Sequence, residues 1–399
     1  MEAGRDTGLT DARRGSVTEV FGVALRLGLT SFGGPVAHIG FFRDEYVGRR
    51  RWLDEGAFSE LVAVTSLLPG PSSSQLGIAI GANRAGRLGG LAAWVGFTLP
   101  SAVAMTVLAL AVGSADLSGA GWVHGLALVA VPVVATAVLG MQRSLAPDLV
   151  RLALAVAAAT VAISWGGFAG QAAAIALGAI VGIALFRNQA LPQRLTASFA
   201  GGRLMATGCI AAFGALLLGL PALADATGAV ALVDAMFRSG SLVFGGGHVV
   251  LPLLDEAVVS PGWVGEQEFL AGYGLAQAMP GPLFAFSAYL GAIQEPSPNG
   301  VAGAALAVGA IFLPSFLLLG GVLPLWSSIR RHATVQAALA GVGAAVVGLL
   351  AAALWDPVLR TSIDDWADVF FAVVLLALLR LLPVWAVVPI AAAAGALLL

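Results

Sequence analysis

The most constraining feature of this sequence is that it writes one broken pattern twice. LRLGLTSFGGP, with Arg26, Gly28, Phe32, Gly33 and Gly34, returns as FRSGSLVFGGG, with Arg238, Gly240, Phe244, Gly245 and Gly246; Phe32 and Phe244 stand 212 positions apart. WLDEGAFSELVAVTSLLPGP then returns as WVGEQEFLAGYGLAQAMPGP. This pairs Trp52 with Trp263, Glu55 with Glu266, Phe58 with Phe269, and the turn Pro69-Gly70-Pro71 with Pro280-Gly281-Pro282, at a spacing of 211. Last, FTLPS, ending at Pro100 and Ser101, returns as IFLPS, ending at Pro314 and Ser315, at a spacing of 214. Three ordered blocks at nearly constant spacing point to a duplicated gene.

The solvent for this chain is lipid. Hydrophobic residues make up 59% of the 399, charged residues only 11%, and the mean hydropathy is +0.93. A soluble chain of this size needs far more polar surface. Many apolar runs reach the roughly 20 residues that a helix needs to cross a bilayer, and they are rich in Gly and Ala, which lets helices approach closely. Long unalternating runs predict helices rather than a barrel. The sequence has no Lys, and its single cysteine, Cys209, excludes an intrachain disulfide and a cysteine-based metal cage. The polar stretch before Val17 has no apolar core and does not read as a cleaved signal peptide. No zinc-ligand spacing, nucleotide-binding loop or nucleic-acid module is present, so the reading includes no cofactor, no metal, no catalytic residue and no nucleic-acid partner.

Each half begins with segments too short or too interrupted for simple spans. Val17 to Phe32 and Gly34 to Tyr46 flank a Gly-Gly break; Glu55 to Leu68 and Ser72 to Asn83 flank Pro-Gly-Pro. These predict broken or re-entrant helical hairpins. Arginines set the sides. Arg13, Arg14, Arg49 to Arg51, Arg84 and Arg87 border the first hairpins and place them on the cytoplasmic side, together with Arg143, Arg187, Arg194, Arg203, Arg330 and Arg331. The hairpin loops of the second half carry no Arg, and only Arg360 falls on the disfavoured side. The expected architecture is an all-α polytopic membrane protein of two inverted-topology repeats. Each repeat has its hairpins followed by about four transmembrane helices, and one extra helix near Leu204 to Leu223 joins the two. The parts are a cytoplasmic tail (1–16), a first repeat (17–188), a linker (189–230) and a second repeat (231–399). The N-terminus is expected in the cytoplasm and the C-terminus in the periplasm.

Inverted hairpins bring helix breaks to the bilayer midplane, where helix N-termini make anion sites from unpaired amides and a partial positive charge. The candidate substrate-binding positions are therefore Gly33, Gly34, Gly245, Gly246, Gly70 and Gly281 at the breaks, with Ser72, Ser73 and Gln75 after the first Pro-Gly-Pro and Gln277 before the second. Arg26 and Arg238 lie at matched positions in apolar arms, where charge is costly and a guanidinium suits an oxyanion. His38, His248 and Glu60 are candidates for proton coupling. The competing structural explanation is that Gly-Gly and Pro-Gly-Pro only permit kinks or close packing.

These motifs resemble those of the chromate ion transporter family in its long, two-domain form: Phe-Gly-Gly near the start of each half, Pro-Gly-Pro after an apolar arm, and Leu-Pro-Ser in the next span. The resemblance covers most of the chain and implies chromate efflux and resistance, with sulfate as a competing tetrahedral dianion, in a bacterial inner membrane. It leaves room for a homodimer. Pro71-Ser72-Ser73-Ser74 faces Pro282-Leu283-Phe284-Ala285, so the serine side is expected to supply more of the polar contacts. Two rival functions use similar parts. One is an anion channel. The other is an intramembrane lipid-pyrophosphate phosphatase, which would need an Arg among the serines Ser72 to Ser74, where Gln75 follows them instead.

Overall fold

A computed structural model describes residues 15–32, 34–113, 121–165, 167–187, 202–243, 249–326 and 332–398. These residues are helical almost throughout, with no strand among them, as backbone that must satisfy its own hydrogen bonds in lipid requires. Six helical stretches among the described residues are long and apolar enough to cross a bilayer. The chain is an all-α polytopic membrane protein.

In the first half, α1 (Val17–Thr30) is capped by Ser16, whose hydroxyl accepts from the Glu19 amide at 3.0 Å. After the Gly-Gly break, α2 (Gly34–Phe42) runs into a π-turn, Arg43–Arg49. Asp54 caps α3 (Glu55–Leu67), which stops at Pro-Gly-Pro. The next element, α4 (Ser72–Gly113), reverses at Ala85 and Gly86, where Gly86 takes φ 71°. It is a hairpin of two arms, and Gly81 of one presses on the carbonyl of Gly89 in the other, leaving no room for a Cβ. Three helices follow: α5 (Gly121–Leu145), α6 (Leu149–Trp165) and α7 (Gly167–Phe186).

The linking helix α8 (Arg203–Leu223) rides on the outside, with Cys209 beside Gly320 and with Leu204 and Leu218 exposed. The second half repeats the order of the first. It contains α9 (Gly228–Leu242), capped by Thr227, and α10 (Val250–Leu254), which runs into a π-turn, Asp255–Val259. Then come α11 (Glu266–Ala278), a 3-10 turn Leu283–Ala285 leading into α12 (Phe286–Ile293), and α13 (Gly300–Val322). The chain ends with α14 (Ala333–Ala353), α15 (Trp366–Leu381) and α16 (Val384–Leu398). Gly291 of α12 and Gly303 of α13 touch as Gly81 and Gly89 do.

The halves interlock through glycine. In α5, Gly125 packs against Ala391 and Gly395 of α16, while Gly341 of α14 packs against Gly178 and Gly182 of α7. Both contacts join a first-half helix to a second-half helix. The deepest packing surrounds α11 and α12, where Phe269, Tyr273, Phe286 and Tyr289 are fully buried. Leu149, Trp165, Trp366, Phe370 and Leu381 stand exposed on the outer surface, the distribution expected when lipid covers it.

Charge gathers at one edge of the first half. Glu19 of α1 reaches Arg50 (3.6 Å) and Arg84 (3.4 Å), Glu45 reaches Arg50 (2.7 Å) and Arg49 (3.3 Å), and Arg43 pairs with Glu55 at 2.7 Å.

Candidate functional site

The chain breaks of the two halves meet, and they do so by exchange. Because Pro69 and Pro71 have no N–H, Gly70 owns the one amide in its turn, and it donates to the carbonyl of Val243 at 2.6 Å. Gly281 holds the same place in the second turn and donates to the carbonyl of Ser31 at 2.9 Å. Ser31 and Val243 are the last described residues but one and the last, respectively, before the two Gly-Gly breaks, and they stand 212 positions apart. Each Pro-Gly-Pro tip therefore caps a broken helix of the opposite half.

The Leu-Pro-Ser triplets complete the exchange. A Cβ on Gly70 would fall 2.8 Å from Ser315 Oγ, and one on Gly281 would fall 2.9 Å from Ser101 Oγ. The two glycines take φ 116° and 94°, so both backbone conformation and space call for glycine. Gln75 locks the first tip by donating from Nε2 to the Pro69 carbonyl at 2.6 Å and to Ser315 Oγ at 3.3 Å. The amides of Gly70 and Gly281 are thus engaged in joining the halves, as is the carboxamide nitrogen of Gln75. Ser101 and Ser315 enter the site although the sequence singled them out only as part of a motif; their matched spacing was the signal.

Around this junction the first half is polar. His38 Nε2 donates to the Ser31 carbonyl at 3.2 Å, and His38 Nδ1 lies 3.1 Å from Ser73 Oγ. Ser31 Oγ, Ser74 Oγ, Thr98 Oγ1 and Gln75 Oε1 are buried and have no hydrogen-bond partner among the described residues. A buried group left in that state costs about 1–3 kcal/mol, so four in one region mark a place suited to a polar ligand or water. Ser72, Ser73 and Ser74 also open the first arm of α4, whose leading amides have no partner within the helix. Ser72 is half-buried, and a Cβ on Gly34, at the start of α2, would meet nothing within 4 Å.

The second half is apolar at every corresponding place. Val243 stands for Ser31, Val250 for His38, Phe284 for Ser73, Ala285 for Ser74, Phe286 for Gln75 and Phe312 for Thr98. Phe284 and Phe312 pack with ring centroids 5.8 Å apart. The scaffold is shared between the halves and the polar lining is not.

The remaining sequence candidates scatter. Arg238 forms an ion pair with Asp234 one turn earlier on α9 and faces a cavity of about 460 Å³ also lined by Asp225, Glu256 and Trp263. Arg26 lies exposed on the face of α1 turned away from α4, and Gly22 occupies the place that Asp234 holds in the other half. The two arginines match in sequence but differ in surroundings. Gln277 is hydrogen-bonded to the buried Tyr273. Gly33, Gly245, Gly246 and His248 lie outside the described residues, as does the side chain of Glu60.

The chromate transporter family model matches residues 18–183 and again 230–397. The chain belongs to the chromate transporter family. Its relatives in that family include a chromate transport protein of Pseudomonas aeruginosa, 29% identical over 86% of this chain and 81% of the relative. A probable chromate transport protein of Synechococcus elongatus is 27% identical over 83% of this chain and 81% of its own. A chromate transport protein of Cupriavidus metallidurans is 28% identical over 89% and 86%. No solved structure matches the chain. The two family matches each start just after a Ser or Thr cap, Ser16 for the first and Thr227 for the second.

Proposed function

We propose that this chromate transporter family member is a secondary carrier, not an enzyme, that exports chromate or a similar tetrahedral dianion from the bacterial cytoplasm across the inner membrane and so confers chromate resistance. The observation that carries this reading is that Ser31 Oγ, Ser74 Oγ and Thr98 Oγ1 are buried with no hydrogen-bond partner among the described residues, Ser74 standing in the first turn of α4. Hydroxyl and amide donors at a helix N-terminus suit an oxyanion. The anion site consists of the start of α4, Ser72 to Ser74, with the open end of α2 at Gly34. Arg238 serves as the approach on the opposite side, where an arriving anion competes with Asp234 for the guanidinium.

The direction follows from charge. Each unit charge moved through 100 mV is worth about 2.3 kcal/mol, so a dianion leaving a negative interior gains about twice that and needs no nucleotide. The two halves run oppositely through the membrane and rock about the exchanged Gly70 and Gly281 contacts, which gives access from alternate sides.

The test is uptake of labelled chromate into inside-out vesicles, competed with sulfate, with and without a membrane potential. Saturable uptake that is stimulated by internal substrate and lost in Ser73→Ala with Ser74→Ala supports the carrier. Voltage-driven current without that stimulation means a channel, and unchanged uptake in the double variant ends the assignment of the site.

A further inference from the structure

Carbonyl oxygens only accept hydrogen bonds, so the 3.2 Å contact of His38 Nε2 with the Ser31 carbonyl places a proton on Nε2. In the neutral ring Nδ1 is then an acceptor, and the Ser73 hydroxyl at 3.1 Å must donate to it. The only proton of that hydroxyl is consumed, and Ser73 presents lone pairs to anything else that approaches. An anion at the start of α4 meets a repelling oxygen. If Nδ1 takes up a proton, the bond reverses: Nδ1–H donates to Ser73 Oγ and the hydroxyl proton is released to point elsewhere. The same step adds a positive charge. Both changes favour an anion.

We infer that His38 and Ser73 form a proton-operated donor switch in which protonation of His38 turns the Ser73 hydroxyl toward the bound oxyanion, so that anion and proton bind together. This rests on the anion site proposed above. Ser31 Oγ and Ser74 Oγ, buried and without partners among the described residues, mark the adjoining space as built for a ligand. The imidazole is also held edge-on against Phe97, with centroids 5.2 Å apart, so it can change its proton without changing its place.

The charged groups of the neighbouring elements are engaged elsewhere. Glu19 of α1 pairs with Arg84 of α4 and with Arg50, Glu45 of the π-turn pairs with Arg49 and Arg50, and Arg43 pairs with Glu55 of α3. Arg26 stands on the exposed face of α1, and Asp44 of the π-turn and Arg87 at the bend of α4 are exposed. The side chain of Glu60 on α3 lies outside the described set. Ser31 and Ser73 hydrogen-bond the ring, and Phe97 packs against it. In the other half Val250 and Phe284 occupy the two positions and cannot form this pair.

The experiment measures protons taken up when potassium chromate binds the purified full-length protein in detergent, at alkaline pH where the ligand is fully dianionic, by titration in two buffers of different ionisation enthalpy. The native protein is expected to take up a proton fraction that approaches one per anion, and its affinity to weaken with rising pH by at most about tenfold per unit. His38→Gln should bind chromate with no linked proton and a flat pH profile, while His332→Gln, at an exposed helix start, should behave as native. Chromate binding by the native protein without proton uptake overturns the switch and leaves the anion site standing. Unchanged proton uptake in His38→Gln overturns it as well. Failure of the native protein to bind chromate at any pH removes both readings.

Discussion

Trp52 and Trp263 occupy the same place in the two halves and meet opposite charge. Trp52 stacks on Tyr46 at 5.2 Å and lies under the guanidinium groups of Arg50 and Arg84, at 5.5 and 5.1 Å. Trp263 borders a cavity lined by three carboxylates, Asp225, Asp234 and Glu256, against one guanidinium, Arg238, so its charge is acidic on balance. Stacked arginine over an indole holds positive charge firmly, and such charge resists translocation. The two tryptophans should therefore sit on opposite sides of the membrane.

This orientation is testable at Gly56 and Gln267, which are exposed and 211 positions apart. In a Cys209→Ala background, Gln267→Cys should react in intact spheroplasts with a membrane-impermeant maleimide. Gly56→Cys should react only after the membrane is opened. Labelling of both from one side would mean parallel halves.

The two tips tolerate nothing larger than glycine. Gly70→Ala and Gly281→Ala each combine a left-handed backbone with a collision against a serine hydroxyl, and each should cost about 1–3 kcal/mol. Thermal unfolding in detergent should show both destabilised. Replacing Ser101 by Gly should recover only part of the loss in Gly281→Ala, because the backbone strain remains.

Helix crossings give a sharper contrast. An added methyl on Gly303 would run into the backbone of Gly291 and Pro298, whereas one on Gly309 in the same helix meets nothing within 4 Å. Gly303→Ala should lower the unfolding temperature clearly, with a cost of about 1–3 kcal/mol. Gly309→Ala should be neutral or slightly stabilising, by up to about 1 kcal/mol, through helix propensity.

The Arg238 and Asp234 pair predicts strong non-additivity. Asp234 is buried, so removing Arg238 alone leaves a buried carboxylate without its cation, close to Asp225 and Glu256. A double-mutant cycle with Arg238→Ala and Asp234→Ala, read by thermal unfolding, should give a coupling of about 1–3 kcal/mol. Single-variant losses that simply add would mean that the two charges act separately.

The sequence revealed the helical breaks well because Gly-Gly and Pro-Gly-Pro act locally: α1, α3 and both arms of α4 begin or end within a few residues of where the pattern predicted. The duplicated Leu-Pro-Ser triplets were visible too, but their task was not. That Ser315 would close on Gly70, 245 positions away, depends on which half meets which, and no local spacing encodes it. The contact of His38 with Ser73 is hidden for the same reason. Arg26 and Arg238 misdirect in the other sense, since matched positions imply matched surroundings only where neighbours match, and Gly22 does not replace Asp234.

The capping of each broken helix by the far half has a consequence for how such a chain can be divided. Cut between α8 and α9, it would yield two fragments, each carrying one proline-flanked tip with a spare amide; the Val243 carbonyl would lose the Gly70 donor, while the Ser31 carbonyl would keep only His38. Neither fragment contains the partner that its tip amide meets in the whole chain. The exchanged bonds therefore form only when both fragments come together.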